Sequence, residues 1–399
     1  MKRLRPFAAP VLVVTVLAAC SAGPPHATPP PATPASATAA PSVPSSAPPV
    51  DCVTATLDGL SMKERVGQIL MVGTSVDAPD ALGDAVSRYH LGGVFLHGRT
   101  SQRARVLRSE IDRLQRRARV PLLISLDQEG GSVQTLKGPD FPIIPSAVRL
   151  GAGSPAALRQ AASDSARRLA GIGVTINLAP VADTVPAEVG RANPPIGGFR
   201  RQFGSDPVEV AAAMHTVVPA SQDAGVLTVL KHFPGLGRVR TNTDVGTSAV
   251  DDVATLNDPY LKPFTAGIEA GSAAVMMSSA SYPRLDRTAI AAFSRPIVTG
   301  LLRDRLGFRG LIMSDDLGAA GAVSAVPPGQ RAVRFVAAGG DLVLTIRPQD
   351  ASPMGEALLT RSAKDQAFRV RVTDAARHVL AAIDGDVGSR LELALIADD

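Results

Sequence analysis

The sequence contains no tryptophan, and its phenylalanines and tyrosines make up only 4% of the chain. Stacking platforms for single-stranded nucleic acid and the long aromatic clefts that grip polymeric sugars are therefore disfavoured. Two cysteines in 399 residues cannot build a disulfide framework, and no Cys/His cluster has the spacing of a structural zinc site. Charged residues are sparse at 19%, and Lys2, Arg3 and Arg5 account for three of the formal +5, leaving +2 for the rest. Such a balance does not suggest a nucleic-acid partner. A Gly-x-Ser-x-Gly elbow, a His-Glu-x-x-His helix and a Rossmann fingerprint are all missing, so serine hydrolase, zinc protease and dinucleotide enzyme fall in rank. Nothing implies a metal or an organic cofactor. The expected ligand is small and held by polar groups in a pocket.

What is present begins with an address. Residues 1–19 combine a basic start with an apolar run and small residues before Cys20, the pattern of a secretory signal peptide too short to span as a mature helix. Leu17-Ala18-Ala19-Cys20 resembles a bacterial lipobox, which implies cleavage before Cys20 and lipid attachment to it. Residues 21–50 carry ten prolines and no charged side chain, and cannot bury a core. They are expected to be a tether between a membrane anchor and a single catalytic domain over residues 51–399.

That domain alternates short apolar runs with helical patterns. Eight runs stand out, at 67–74, 91–97, 121–127, 175–183, 226–232, 273–279, 310–315 and 342–346. Between them, Leu82, Ala85, Val86 and Tyr89 share one helical face, and Leu107, Ile111, Leu114 and Ala118 another. Eight strands with intervening helices predict an α/β fold of the (β/α)8 barrel type. Asp127, Asp183, Lys231, His232 and Asp315 each stand where a run finishes, which is where such barrels build their sites. A doubly wound open sheet would also place ligands at strand ends, and the barrel is preferred on the strand count.

Three segments carry the polar chemistry. Leu126-Asp127-Gln128-Glu129-Gly130-Gly131 sets a carboxylate at a strand end before glycines that allow a sharp turn; Glu129 is expected to be a buried structural acid. Leu230-Lys231-His232-Phe233-Pro234-Gly235-Leu236-Gly237 places two adjacent donors on a strand, one of which should face the pocket. With the Gly and Pro of this segment, the polar loop that follows, residues 238–246, is expected to be a lid with room to move. Leu311-Ile312-Met313-Ser314-Asp315-Asp316-Leu317 ends a strand with two carboxylates that diverge, one toward the pocket and one capping or bracing the next helix.

Taken in order, these segments resemble the glycoside hydrolase family 3 β-N-acetylglucosaminidases of bacterial cell-wall recycling. The likeness includes Gly67-Gln68-Ile69-Leu70-Met71-Val72-Gly73, Arg201-Gln202-Phe203-Gly204-Ser205-Asp206-Pro207 and Leu302-Arg303-Asp304-Arg305-Leu306-Gly307-Phe308. The resemblance independently implies the barrel. It also implies that Asp315 is a nucleophile forming a covalent glycosyl-enzyme with net retention, and that Asp127, Arg201, Lys231 and His232 bind the sugar.

Two departures stand out. Thr135 occupies a place where the family has an arginine, and Asn242-Thr243-Asp244 replaces the family's Asp-Ser-His, whose histidine is the acid/base. An aspartic acid donor is better served by a neutral amide than by a second anion, so Asp244 is read as acid/base with Asn242 as its support, His232 being the competing donor. The expected protein is a monomeric, retaining exo-β-N-acetylglucosaminidase on the extracytoplasmic face of the cell membrane. It would release N-acetylglucosamine from peptidoglycan-derived fragments and be held through lipid on Cys20. A non-catalytic sugar-binding lipoprotein and a β-glucosidase-like hexosidase are the alternatives.

Overall fold

A computed structural model describes residues 51–397 of the chain, with side chains described to residue 385. The expected signal peptide, the lipidated Cys20 and the tether to residue 50 lie outside the described residues. No helix among those described is long and apolar enough to cross a membrane.

Each of the eight apolar runs contains a strand. They are β1 (Leu70–Ser75), β2 (Gly93–His97), β3 (Leu123–Leu126), β4 (Ile176–Asn177), β5 (Leu227–Phe233), β6 (Ala274–Met277), β7 (Leu311–Ser314) and β8 (Val343–Thr345). Every pairing is parallel, in the order β7-β6-β5-β4-β3-β2-β1-β8, and a bridge between Met313 and Leu342 brings the two ends of that order together. This is a (β/α)8 barrel of the TIM type, with helices between strands and an interior of buried aliphatic side chains. The helix Ala104–Arg117 buries Leu107, Ile111 and Leu114, the face its spacing predicts.

In two of the runs a local signal shortens the strand. Gly67 and Gln68 end the helix Met62–Gln68, which a capping box between Ser61 and Glu64 starts. In the run 175–183 only Ile176–Asn177 forms a regular strand, because Pro180 has no N–H to give to the ladder. Pairing resumes beyond it, with Ala182 N–H donating to the Lys231 carbonyl at 2.8 Å.

The seam between β7 and β8 is stitched by side chains. Leu344 N–H donates to Ser314 Oγ at 2.9 Å, Ile346 N–H to Asp316 Oδ1 at 2.9 Å, and Ile312 N–H to Asp341 Oδ2 at 2.9 Å. Ser314 and Asp316 are two residues apart and so project to the same side, leaving Asp315 between them to turn inward. Asp341 is fully buried and also receives Arg303, Arg371 and His378. Asp341→Asn leaves Arg303 and Arg371 without their shared anion at a barrel joint, and a loss of about 3–5 kcal/mol in unfolding free energy is expected from urea denaturation.

Candidate active site

The barrel's C-terminal face opens on a cavity of about 430 Å³, within the range that holds small-molecule ligands. Asp127, Arg201, Lys231, His232, Asn242, Asp244 and Asp315 all line it. Residues spread over nearly 190 positions of sequence are thus brought to one place by the ends of β3, β5 and β7 and by two loops. Phe95, Met276 and Leu344 add apolar wall from β2, β6 and β8.

A buried charge cluster forms one side. Lys231 Nζ donates to Asp127 Oδ1 at 2.6 Å and lies 2.6 Å from Glu129 Oε1. Arg201 grips Glu129 with both prongs of its guanidinium, at 2.8 and 2.7 Å. Burial alone would raise the Glu129 carboxyl, but Arg201 and Lys231 outweigh it and hold it at about 2. Burial in turn works against the Arg201 and Lys231 charges, and the carboxylates beside them push both pKa values above their ordinary ones. Glu129 is a buried acid, as its sequence context predicts, yet it is also what fixes two cavity-lining cations. The clue lies in its spacing: Asp127 and Glu129 are two residues apart and share a side, while Gln128 between them turns away to the backbone of Leu136 at 3.0 and 2.9 Å.

Arg201 comes after a short turn, Gly197–Phe199, that Asn193 organises. The fully buried Asn193 side chain accepts from Ile196 and Gly197 N–H at 3.0 and 2.9 Å and donates to the carbonyls of Leu236 and Val239 at 2.8 Å each. One amide thereby ties the arginine's loop to the segment leaving β5.

Lys231 and His232 both reach the cavity, although alternation along a strand would send only one there. The β5–β6 ladder shifts register between Leu230 and Phe233, and such an irregularity re-aims side chains. His232 Nδ1 meets Asp183 Oδ2 at 2.7 Å, and its Nε2 lies 3.4 Å from Arg201 Nη2. Asp183, fully buried, also accepts from the N–H of Leu236 at 2.7 Å. Its place at a strand end is visible in the sequence, whereas its hold on the histidine is not.

Asp315 donates its own N–H to the Met277 carbonyl at 3.2 Å, and its Oδ1 accepts from Asp316 N–H at 2.8 Å. Burial pushes its carboxyl up, Asp244 adds to the rise, and His232 and Lys231 pull the other way. Asp316 takes the bracing part, accepting from Gly318 and Ala319 N–H at 2.8 Å each as well as from Ile346.

The loop 238–246, expected as a lid with room to move, is held at its base and its tip. Arg238 binds Asp251 at 2.8 Å, pairs with Asp258 and lies 4.4 Å from the Tyr260 ring centroid. At the tip, the carbonyls of Asp244 and Thr243 accept from Gly321 and Ala322 N–H at 2.9 and 3.1 Å. Asn242 Oδ1 accepts from the backbone N–H of Asp244 at 3.0 Å, so the amide shapes the turn that presents the aspartate. Thr135 donates both N–H and Oγ1–H to the Asp127 carbonyl, at 3.0 and 2.9 Å, and braces that residue from behind. Among the described residues no group of His, Cys, Asp and Glu is arranged to hold a metal ion.

Opposed charges sunk in a cavity at the C-terminal face of a parallel barrel stand where barrel enzymes build their sites. The comparisons with known proteins agree. Residues 61–382 match the model of the glycosyl hydrolase family 3 N-terminal domain, and the chain belongs to that family and is a glycoside hydrolase. A beta-hexosaminidase of Xanthomonas oryzae pv. oryzae is 36% identical over 242 residues, 57% of this chain and 68% of that one. A beta-N-acetylglucosaminidase/beta-glucosidase of Cellulomonas fimi is 32% identical over 313 residues, 75% of this chain and 53% of that one. The crystal structure of a beta-N-acetylhexosaminidase from Beutenbergia cavernae superposes with a TM-score of 0.79 at 44% identity, over 81% of this chain and 98% of that one.

Glu129→Gln should unsettle this cluster. A carboxyl held below its unfolded value of about 4.3 contributes stability that is fully present above that value and is lost as pH falls toward about 2. Denaturation followed from pH 7 to about pH 2.5 should show the variant less stable by about 3–5 kcal/mol at neutrality, the gap narrowing in acid.

Proposed function

We propose that the chain is a retaining exo-β-N-acetylglucosaminidase that removes terminal N-acetylglucosamine from peptidoglycan-derived fragments. The observation that carries this reading is the placing of Asp315 and Asp244 on one sugar-sized cavity whose other side is the Asp127–Lys231–Glu129–Arg201 cluster. The names of the Xanthomonas and Beutenbergia relatives support the acetamido sugar as substrate. The lipobox-like ending at Cys20 supports a tether to the outer face of the cell membrane.

In the proposed reaction Lys231, Asp127, Arg201 and His232 orient the ring through charge-assisted hydrogen bonds to its hydroxyls. An Asp315 oxygen bonds to the anomeric carbon as the bond to the leaving oxygen breaks, and the proton of Asp244 passes to that oxygen. Asp244 then takes a proton from water, whose oxygen bonds to the anomeric carbon as the ester to Asp315 breaks. Two inversions give net retention. His232 is the competing donor: Asp183 orients its Nδ1 as a carboxylate orients an acid histidine, and its Nε2 lies 3.4 Å from Arg201 Nη2.

A broader hexosidase specificity has one specific support. Thr135 is committed to the Asp127 backbone, so no guanidinium stands at that place, and the Cellulomonas relative is named for both activities. Comparing kcat/KM on aryl N-acetylglucosaminide and aryl glucoside decides between them; comparable values would favour the broader reading.

Asp315→Asn should lower turnover of an aryl N-acetylglucosaminide by at least about 10³-fold, and a fluorinated mechanism-based glycoside should label Asp315 in the parent chain. Labelling of another residue in active protein would remove the assigned nucleophile. Because the mechanism needs Asp244 protonated, Asp244→Asn should abolish the basic limb of kcat/KM on a substrate whose leaving oxygen needs a proton, with little loss on one whose leaving group needs none. An unmoved limb would mean that another group controls it.

A further inference from the structure

A second hollow, of about 650 Å³, lies at the other end of the barrel, where the chain enters β7 and β8 beside the C-terminal helix Gln366–Ala397. Arg295, Arg303, Arg309, Arg361, Arg371 and His378 line it. The acids to answer them are Asp365 and Asp374 on the same walls and the buried Asp341 beneath, so five guanidiniums meet three carboxylates. Arg303 and Arg371 share Asp341, Arg371 also takes Asp374, and Arg361 takes Asp365 at 3.1 Å. Among the described residues neither Arg295 nor Arg309 has a carboxylate partner.

A second observation points the same way. Arg371 Nε is buried and has no acceptor, a donor left unanswered behind the wall of a hollow that already has an excess of cations. Burial lowers the Arg303 pKa against the pull of Asp341, and Arg371 and Arg309 lower it further.

We propose that this hollow binds a phosphate-bearing anion. Guanidinium forks pair with phosphate oxygens through parallel hydrogen bonds, and a tetrahedral oxyanion can answer donors arriving from several directions where a planar carboxylate cannot. The donors here come from three places: Arg295 ahead of the helix Pro296–Arg305, Arg309 ahead of β7, and Arg371 on the C-terminal helix. The hollow exceeds the size of a phosphate ion, which leaves room for the group that carries it. That group is a soluble phosphate ester or the head of a phospholipid.

The test uses the full chain carrying Cys20→Ala, which cannot be acylated. It is titrated with glycerol 3-phosphate by calorimetry and, separately, sedimented with vesicles of phosphatidylglycerol and phosphatidylcholine or of phosphatidylcholine alone. Saturable binding is expected in at least one arm, weakened at least tenfold by Arg309→Glu and by Arg295→Glu, while hydrolysis of an aryl glycoside is unchanged by either. Both are exposed side chains outside the buried ion pairs, and unchanged hydrolysis reports an intact barrel. Binding to the soluble ester alone identifies a solute site, and retention by the anionic vesicles alone identifies a lipid head group. No binding in either arm, equal binding by parent and variants, or loss of binding on Arg201→Gln instead would overturn the inference.

Discussion

Two cations held out of water at the wall of a cavity cost several kcal/mol each unless an anion is held there with them. Glu129 is that anion. It sits behind the cavity rather than on its surface, gripping Arg201 with both oxygens and Lys231 with one. The donors that face a ligand are therefore fixed before one arrives, and their orientation does not depend on the ligand's own charge. Asp127, on the same side of its strand, takes the other part of the lysine and remains partly open to the cavity.

The second constraint is the joint of the barrel. Backbone bonds join the β7 and β8 segments, and Ser314, Asp316 and Asp341 add side-chain acceptors to them. The residue between two of those stitches is Asp315, so the fastening that closes the barrel also aims the carboxylate assigned as nucleophile. Across the cavity, Asp244 is carried on a loop that Arg238 anchors at the base and the 321–322 backbone meets at the tip. Burial is the main cause that pushes the Asp315 carboxyl up, and the Asp244 charge acts in the same direction.

Much of this is legible in the sequence because barrel strands are buried on both faces and read as apolar runs ending in polar residues. The limits of those runs are less legible where a local signal overrides the run: the capping box at Ser61 claims Gly67 and Gln68 for a helix, and Pro180 breaks the fourth strand. Glu129 is readable as buried but not as a clamp, since its partner Arg201 lies on an irregular turn whose course Asn193 sets. The reach of both Lys231 and His232 depends on a register shift that spacing alone does not announce. The hold on the 238–246 loop comes from Asp251, Asp258 and Gly321, residues that look like ordinary loop chemistry until the fold brings them together.

The stitch between Asp316 and Ile346 has a consequence for how the molecule is made. A chain emerging from the ribosome carries the Asp315 carboxylate well before the acceptor on Asp316 has any β8 amide to receive. A chain that stops short of Ile346 holds every charged cavity group yet lacks the strand that closes the ring, so the fastening beside Asp315 cannot form until β8 is present.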